Sequence, residues 1–155
     1  YGVMPAKINM LRIGAAILDG PLDDVRIFYG VEEMDEMRDD AFILKAQVIE
    51  RKLKPTHPIG TLGVDAFGKK PVYIDRGIRE RILLGVGRQD HGDIDDLVPC
   101  LEGAQIVGAS GDHTIIDIVE CSQKTVVGDI MEFKLKYSAI MRLTASDDVK
   151  RYDIG

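Results

Sequence analysis

Residues 41–52 read AFILKAQVIERK. Phe42, Leu44, Ala46 and Val48 fall on alternate positions, and Lys45 and Gln47 lie between them. Side chains of an extended strand point to opposite faces in turn, so these four apolar residues share one face. A strand with one apolar and one polar face belongs to an antiparallel sheet that covers a core on one side only.

The same character continues downstream. Residues 53–71, LKPTHPIGTLGVDAFGKKP, are rich in Gly and Pro and read as turns and loop. VYIDRG (72–77) and RERILLGVG (79–87) read as strands around a turn. AQIVGAS (104–110) and HTIIDIVE (113–120) are two more, split by Gly111-Asp112. In TVVGDIMEFKLKY (125–137), Gly128-Asp129 signals a turn before an alternating strand. SAIMRLTAS (138–146) suits one helical turn or two. Short strands at this spacing predict a mainly β fold over residues 41–155, a compact antiparallel barrel or sandwich.

Upstream the pattern differs. INMLRI (8–13) reads as a short buried strand, and Gly14 opens AAILDG, a helix start. Residues 1–40 therefore look like the end of an α/β neighbour plus a linker. The chain begins without Met, as a piece cut from something longer would. Residues 19–40 carry nine acids and two arginines, a net −7 against −6 for the whole chain, so the rest sums to about +1 and the run is a solvated segment or a docking patch. VEEMDEMRD (31–39) suits a short acidic helix or loop.

Composition narrows the function classes. The 155 residues suit one domain, and a chain this long buries roughly 70% of its unfolded surface. An acidic chain offers no basic face for nucleic acid. No apolar run of membrane-spanning length and no signal peptide is seen, so no membrane partner and a cytoplasmic location are expected. Cys100 and Cys121 form no CxxC, and the three histidines lack zinc spacing, so reduced thiols and no metal are expected.

Three segments carry possible chemistry. Glycine at a strand-to-helix junction turns backbone N–H groups toward an anion, which makes Arg12, Gly14 and Ala15 a candidate phosphate contact. GVGRQDHGD (85–93) crowds Arg88, Gln89, Asp90 and His91 between glycines, more hydrogen-bonding groups than a turn requires. In GASGDHTIIDI (108–118), a free Gly111 N–H can receive a carboxylate and Asp112 can orient a neighbour.

Together these words resemble the C-terminal part of the fold-type III pyridoxal-phosphate amino-acid racemases. This is the alanine racemase superfamily, and the ornithine/alanine racemase-like branch is the nearer likeness. INMLRIGAAILDG, DAFGKKPVYIDRGIRERILLGVGRQDHGD, QIVGASGDHTIIDI and VGDIMEFKLKYSAIMRLTAS carry the likeness across nearly the whole chain. The resemblance implies an upstream (β/α)8 barrel that holds pyridoxal phosphate, a C-terminal β-domain that completes the site, and a homodimer. It implies that Arg12 faces the pyridine nitrogen and that the Gly14 and Ala15 amides bind the phosphate. The corner falls where alanine racemases carry a catalytic tyrosine, and here Arg88 stands in its place. Arginine is too basic to take a proton near neutrality, so the second base is Asp90 or His91, or the role has moved. Gly111 matches the family's carboxylate-binding amide, with Asp112 beside it. Asp147 matches a tail position over the substrate side chain, where a carboxylate suits a cationic substrate such as ornithine or lysine rather than alanine. The family's Schiff-base lysine lies upstream, so this chain alone is expected to be inactive. The rival reading is a stand-alone β-barrel interaction module without chemistry.

Overall fold

The computed structural model describes residues 38–57 and 74–154, together with 5, 7–10, 12, 14, 15, 18, 60, 63 and 64. Its frame is a six-stranded antiparallel sheet curled into a nearly closed barrel, in the order β3-β6-β1-β2-β5-β4. The strands are β1 Ile43–Pro55, β2 Ile78–Leu84, β3 Leu97–Pro99, β4 Gln105–Ala109, β5 Thr114–Asp117 and β6 Ile130–Leu135. Among the described residues, α1 Arg88–His91 is a single turn and a 3-10 turn at Ile94–Asp96 follows it before β3, while α2 Tyr137–Ala145 follows β6. The mainly β expectation holds.

β1 is the bent spine of the barrel. Its first half, residues 43–47, pairs with β6, and from Val48 onward it pairs with β2. The pairing shifts between Val48 and Glu50, which leaves Ile49 as an extra residue. A bulge of this kind bends the strand and strengthens its twist, and so carries one strand from one side of a barrel to the other. The Gly128-Asp129 turn is seated there: Val48 N–H donates to the Asp129 carbonyl at 2.9 Å, and Gly128 N–H to the Val48 carbonyl at 2.8 Å.

The core follows from the alternation. Leu44, Ala46 and Val48 of β1 point inward with Ile82 and Leu84 of β2, Ile116 of β5, and Met131, Phe133 and Leu135 of β6. Phe42 packs on their rim. α2 closes one end with Ala139, Ile140 and Leu143, residues at helical spacing on one face. The edges are protected: β3 is three residues long and ends in Pro99, and β4 is bulged between Ile106 and Gly108. Outside the core, Arg79 forks onto Asp117 with hydrogen bonds of 2.7 and 3.0 Å.

Some expectations need correction. Residues 74–77 of the strand read at VYIDRG are loop, and 72 and 73 lie outside the described residues. The cause is local. Asp75 Oδ1 accepts from Gly77 N–H at 2.9 Å and from Thr56 Oγ1 at 3.2 Å, and Gly77 takes φ +74, so an Asx-type turn replaces the extended backbone. Of the buried strand read over 8–13, residues 8–10 and 12 form no strand, with Ile8 47% and Met10 73% exposed. Leu11 and Ile13 lie outside the described residues, as do most of the acidic run 19–40 and of the acidic helix or loop at 31–39. At the expected helix start, Leu18 N–H closes a turn on the Ala15 carbonyl at 2.8 Å. The strand β3 was not foreseen. Cys100 and Cys121 are both free thiols, the first exposed and the second half-buried.

Candidate functional site

The corner begins where β2 ends. Gly85 N–H donates to the Gln47 carbonyl at 3.1 Å, and Val86 turns back into the core. Gly87 then runs against the turn at 110–113: a side chain there would strike the Gly111 carbonyl and His113 N. Only glycine permits this approach, and the approach is what joins the two glycine-containing segments. The first N–H groups of α1 have no partner within the helix. Here they find partners on that turn: Arg88 N–H donates to the Ser110 carbonyl at 2.9 Å and Gln89 N–H to the Gly111 carbonyl at 3.1 Å. The helical turn ends at Gly92, with φ +83 and the stem of Arg142 lying where a Cβ would project.

Two side chains hold the corner from within. Asp90 is 8% exposed, and its Oδ2 accepts from Gly87 N–H at 3.3 Å. Its Oδ1 accepts from Ser146 Oγ at 3.1 Å, and Ser146 Oγ in turn accepts from Asp148 N–H at 3.3 Å. His91 has no exposed surface. Its Nε2 lies 2.9 Å from Thr114 Oγ1, and that hydroxyl donates its proton to the Val86 carbonyl at 2.7 Å. The threonine proton is therefore spent, so the assigned tautomer carries the histidine proton on Nε2. Nδ1 is buried without a hydrogen-bond partner. Burial pushes the His91 imidazole below its ordinary pKa, outweighing the Asp90 charge that acts to raise it. His91 is neutral at pH 7 and sealed from solvent.

The structure thus gathers three remote segments at one place: Gly87–Gly92, the turn at 110–113 and the tail from Ser146. Arg88 is half-buried, Gly111, Asp112 and Asp147 are exposed, and Asp90 and His91 are buried. The Gly111 N–H donates to no group among the described residues. No hydrogen bond or ion pair among the described residues ties Arg12, Gly14 or Ala15 to the corner; Arg12 and Gly14 are exposed and Ala15 is half-buried. Neither Asp90 nor His91 presents an uncommitted basic atom to solvent. Ser146 and Thr114 escaped sequence reasoning. A serine 56 residues from its aspartate leaves no local signal, while Thr114 can be read only as an inward polar residue on an apolar strand.

Other features lie elsewhere. An open groove lined by Cys100, Lys124, Asp129 and Glu132, among others, shares no residue with the corner. Among the described residues no cluster of His, Cys, Asp and Glu is gathered for a metal ion, and no helix is long and apolar enough to cross a membrane.

Fold and corner define a nearly closed β-barrel whose polar groups are gathered from three loops at one end. No known family model matches the chain. It is 41% identical over 150 residues to the ornithine racemase of Acetoanaerobium sticklandii and 36% identical over 150 residues to the lysine racemase of Thermotoga maritima. Each match covers 97% of this chain but only 41% and 40% of the relative. The chain is thus related to racemases along nearly all of its own length, and spans about two fifths of the length of these relatives.

Proposed function

We propose that this chain is the C-terminal β-domain of a pyridoxal-phosphate-dependent racemase acting on a cationic amino acid of the ornithine or lysine class. The observation that carries the reading is the reach of the similarity. The 150 matched residues take in all three segments that meet at the corner, in relatives whose names specify racemisation of ornithine and of lysine. The domain completes a site begun upstream and faces it across a homodimer contact.

The donors at 12–15 fit a phosphorylated pyridine. Arg12 is an exposed, permanent cation, and the Gly14 and Ala15 amides are spent in no hydrogen bond among the described residues. When bound, such a cofactor draws electrons from the substrate α-carbon and so acidifies its hydrogen. The remaining roles belong to this chain. Gly111 offers its N–H to the substrate carboxylate, with Asp112 beside it. Asp147 offers a carboxylate to the side-chain ammonium. Arg88 keeps a positive edge on the corner. Asp90 and His91 are both committed to holding the corner in shape, so in this reading the second acid–base role has moved to another group.

The test is made on the full-length polypeptide in D2O, with L-ornithine, L-lysine and L-alanine as substrates. Deuterium should enter the α-position and the D-isomer should accumulate, faster for the two cationic substrates. No exchange with any amino acid overturns the reading and leaves the interaction module. The 155-residue chain alone should give no borohydride-trappable adduct with pyridoxal phosphate on one unique lysine.

A further inference from the structure

Two of the three segments at the corner are tied by a single hydroxyl. Ser146 is the C-cap of α2, with extended backbone at φ −78 and ψ 131. Its Oγ donates to Asp90 Oδ1 at 3.1 Å and accepts from Asp148 N–H at 3.3 Å. A hydroxyl carries one proton and two acceptor lone pairs, so both bonds form at once. The other oxygen of Asp90 takes the Gly87 N–H, so one buried carboxylate joins the start of α1 to the end of α2. Asp147 lies between the two residues of the Ser146–Asp148 contact, and its backbone is held from both sides.

We propose that Ser146 is a positioning residue that latches the C-terminal tail to Asp90 and thereby sets where Asp147 stands beside the corner. This rests on the racemase reading above, in which Asp147 meets the cationic end of the substrate. Removing the hydroxyl leaves Asp90 Oδ1 without its donor and Asp148 N–H without its acceptor. The tail then loses both of these hydrogen bonds and keeps the packing of Val149, while the barrel core, which contains none of these atoms, stays intact. Threonine keeps the hydroxyl and tolerates the extended backbone at this position. A latch of this kind therefore predicts loss with Ser146→Ala and recovery with Ser146→Thr.

Two measurements separate the latch from the function it serves. In the 155-residue chain, Ser146→Ala should speed amide hydrogen exchange at Asp148 by about tenfold, the equivalent of one hydrogen bond to a charged group, and leave the β-sheet amides unchanged. Ser146→Thr should match wild type. In full-length racemase, Ser146→Ala should raise KM for ornithine or lysine by about tenfold with kcat nearly unchanged, leave KM for alanine as it was, and be rescued by Ser146→Thr. Should Ser146→Ala not fold, Ser146→Cys, of similar shape but a poor donor, gives the same reading. Unchanged exchange at Asp148 overturns the latch. Faster exchange with no change in KM, or with the same change for every amino acid, overturns its role in specificity. A full-length wild type that racemises nothing overturns the racemase reading, while the exchange result still decides the latch.

Discussion

His91 places a titratable ring where no water reaches it, and stability must report that. Its neutral form donates to Thr114, and Nδ1 is buried without a hydrogen-bond partner. Burial lowers its folded pKa from the ordinary 6.5, against the raising effects of the Asp90 charge and the Asp93 and Gly92 backbone and with a smaller lowering effect from Arg88. Stability is therefore full above the unfolded pKa and is lost as pH falls from about 6.5 toward the folded value, at no more than about 1.4 kcal/mol per pH unit. Urea unfolding at pH 7.5 and 5.5 should show this slope in wild type and a flatter one in His91→Gln; equal slopes would remove His91 as the cause. Gly87 makes a different residue-scale claim. Its φ of −139 is ordinary extended backbone, so any penalty comes from collision with the turn at 110–113 and not from strain. Gly87→Ala should cost about 1–3 kcal/mol, as overpacking does. Gly111→Ala meets nothing within 4 Å and should be nearly neutral in denaturant melts. A Gly87→Ala chain as stable as wild type would mean that the two loops part easily.

The outer face of β2 and β5 carries a buried charge pair. Arg79 and Asp117 keep side-chain exposures of 13% and 7%. Burial pushes the Asp117 carboxyl up, but the Arg79 hydrogen bonds, the Val119 N–H and the nearby guanidinium charges together hold it below the usual carboxylate range. Its contribution is present above the unfolded pKa near 4 and fades as pH falls through the depressed folded value. Arg79→Met should destabilise the fold at pH 7, because Asp117 loses its forked partner while it stays largely covered. Adding Asp117→Leu should recover much of the loss; a double variant no better than the single would show that packing rather than charge decides. Elements of this kind mark the limit of what the sequence reveals. Leu44, Ala46 and Val48 announced β1 because a period of two is a local property, and Gly128-Asp129 announced its turn for the same reason. The break at 74–77 was hidden because Asp75 acts through Thr56, a residue 19 positions away. β3 was hidden because three residues ending in proline carry no period. The corner was visible as a crowd of polar groups, but its wiring was not: Thr114 and Ser146 come to it from strand and tail, and only folding brings them there.

At the scale of the molecule, the fifteen core residues among those described all lie between Leu44 and Leu143. Among the described residues before 38, Leu18 is the one that packs against them, and it is only partly buried. The division between a remnant at 1–40 and a β-domain at 41–155 can therefore be put to a direct test. Truncating the chain to begin at Arg38 keeps the Asp39–Lys134 ion pair and every core side chain. The loss should not exceed the burial of part of one leucine, about 1–1.5 kcal/mol, or a fall in Tm of about 4–8 °C for a domain of this size. Unfolding should stay cooperative, with circular dichroism and near-ultraviolet probes giving one midpoint. A fall of more than about 15 °C, or separate midpoints for the two probes, would show that the first 37 residues belong to the fold itself and that the domain boundary lies elsewhere.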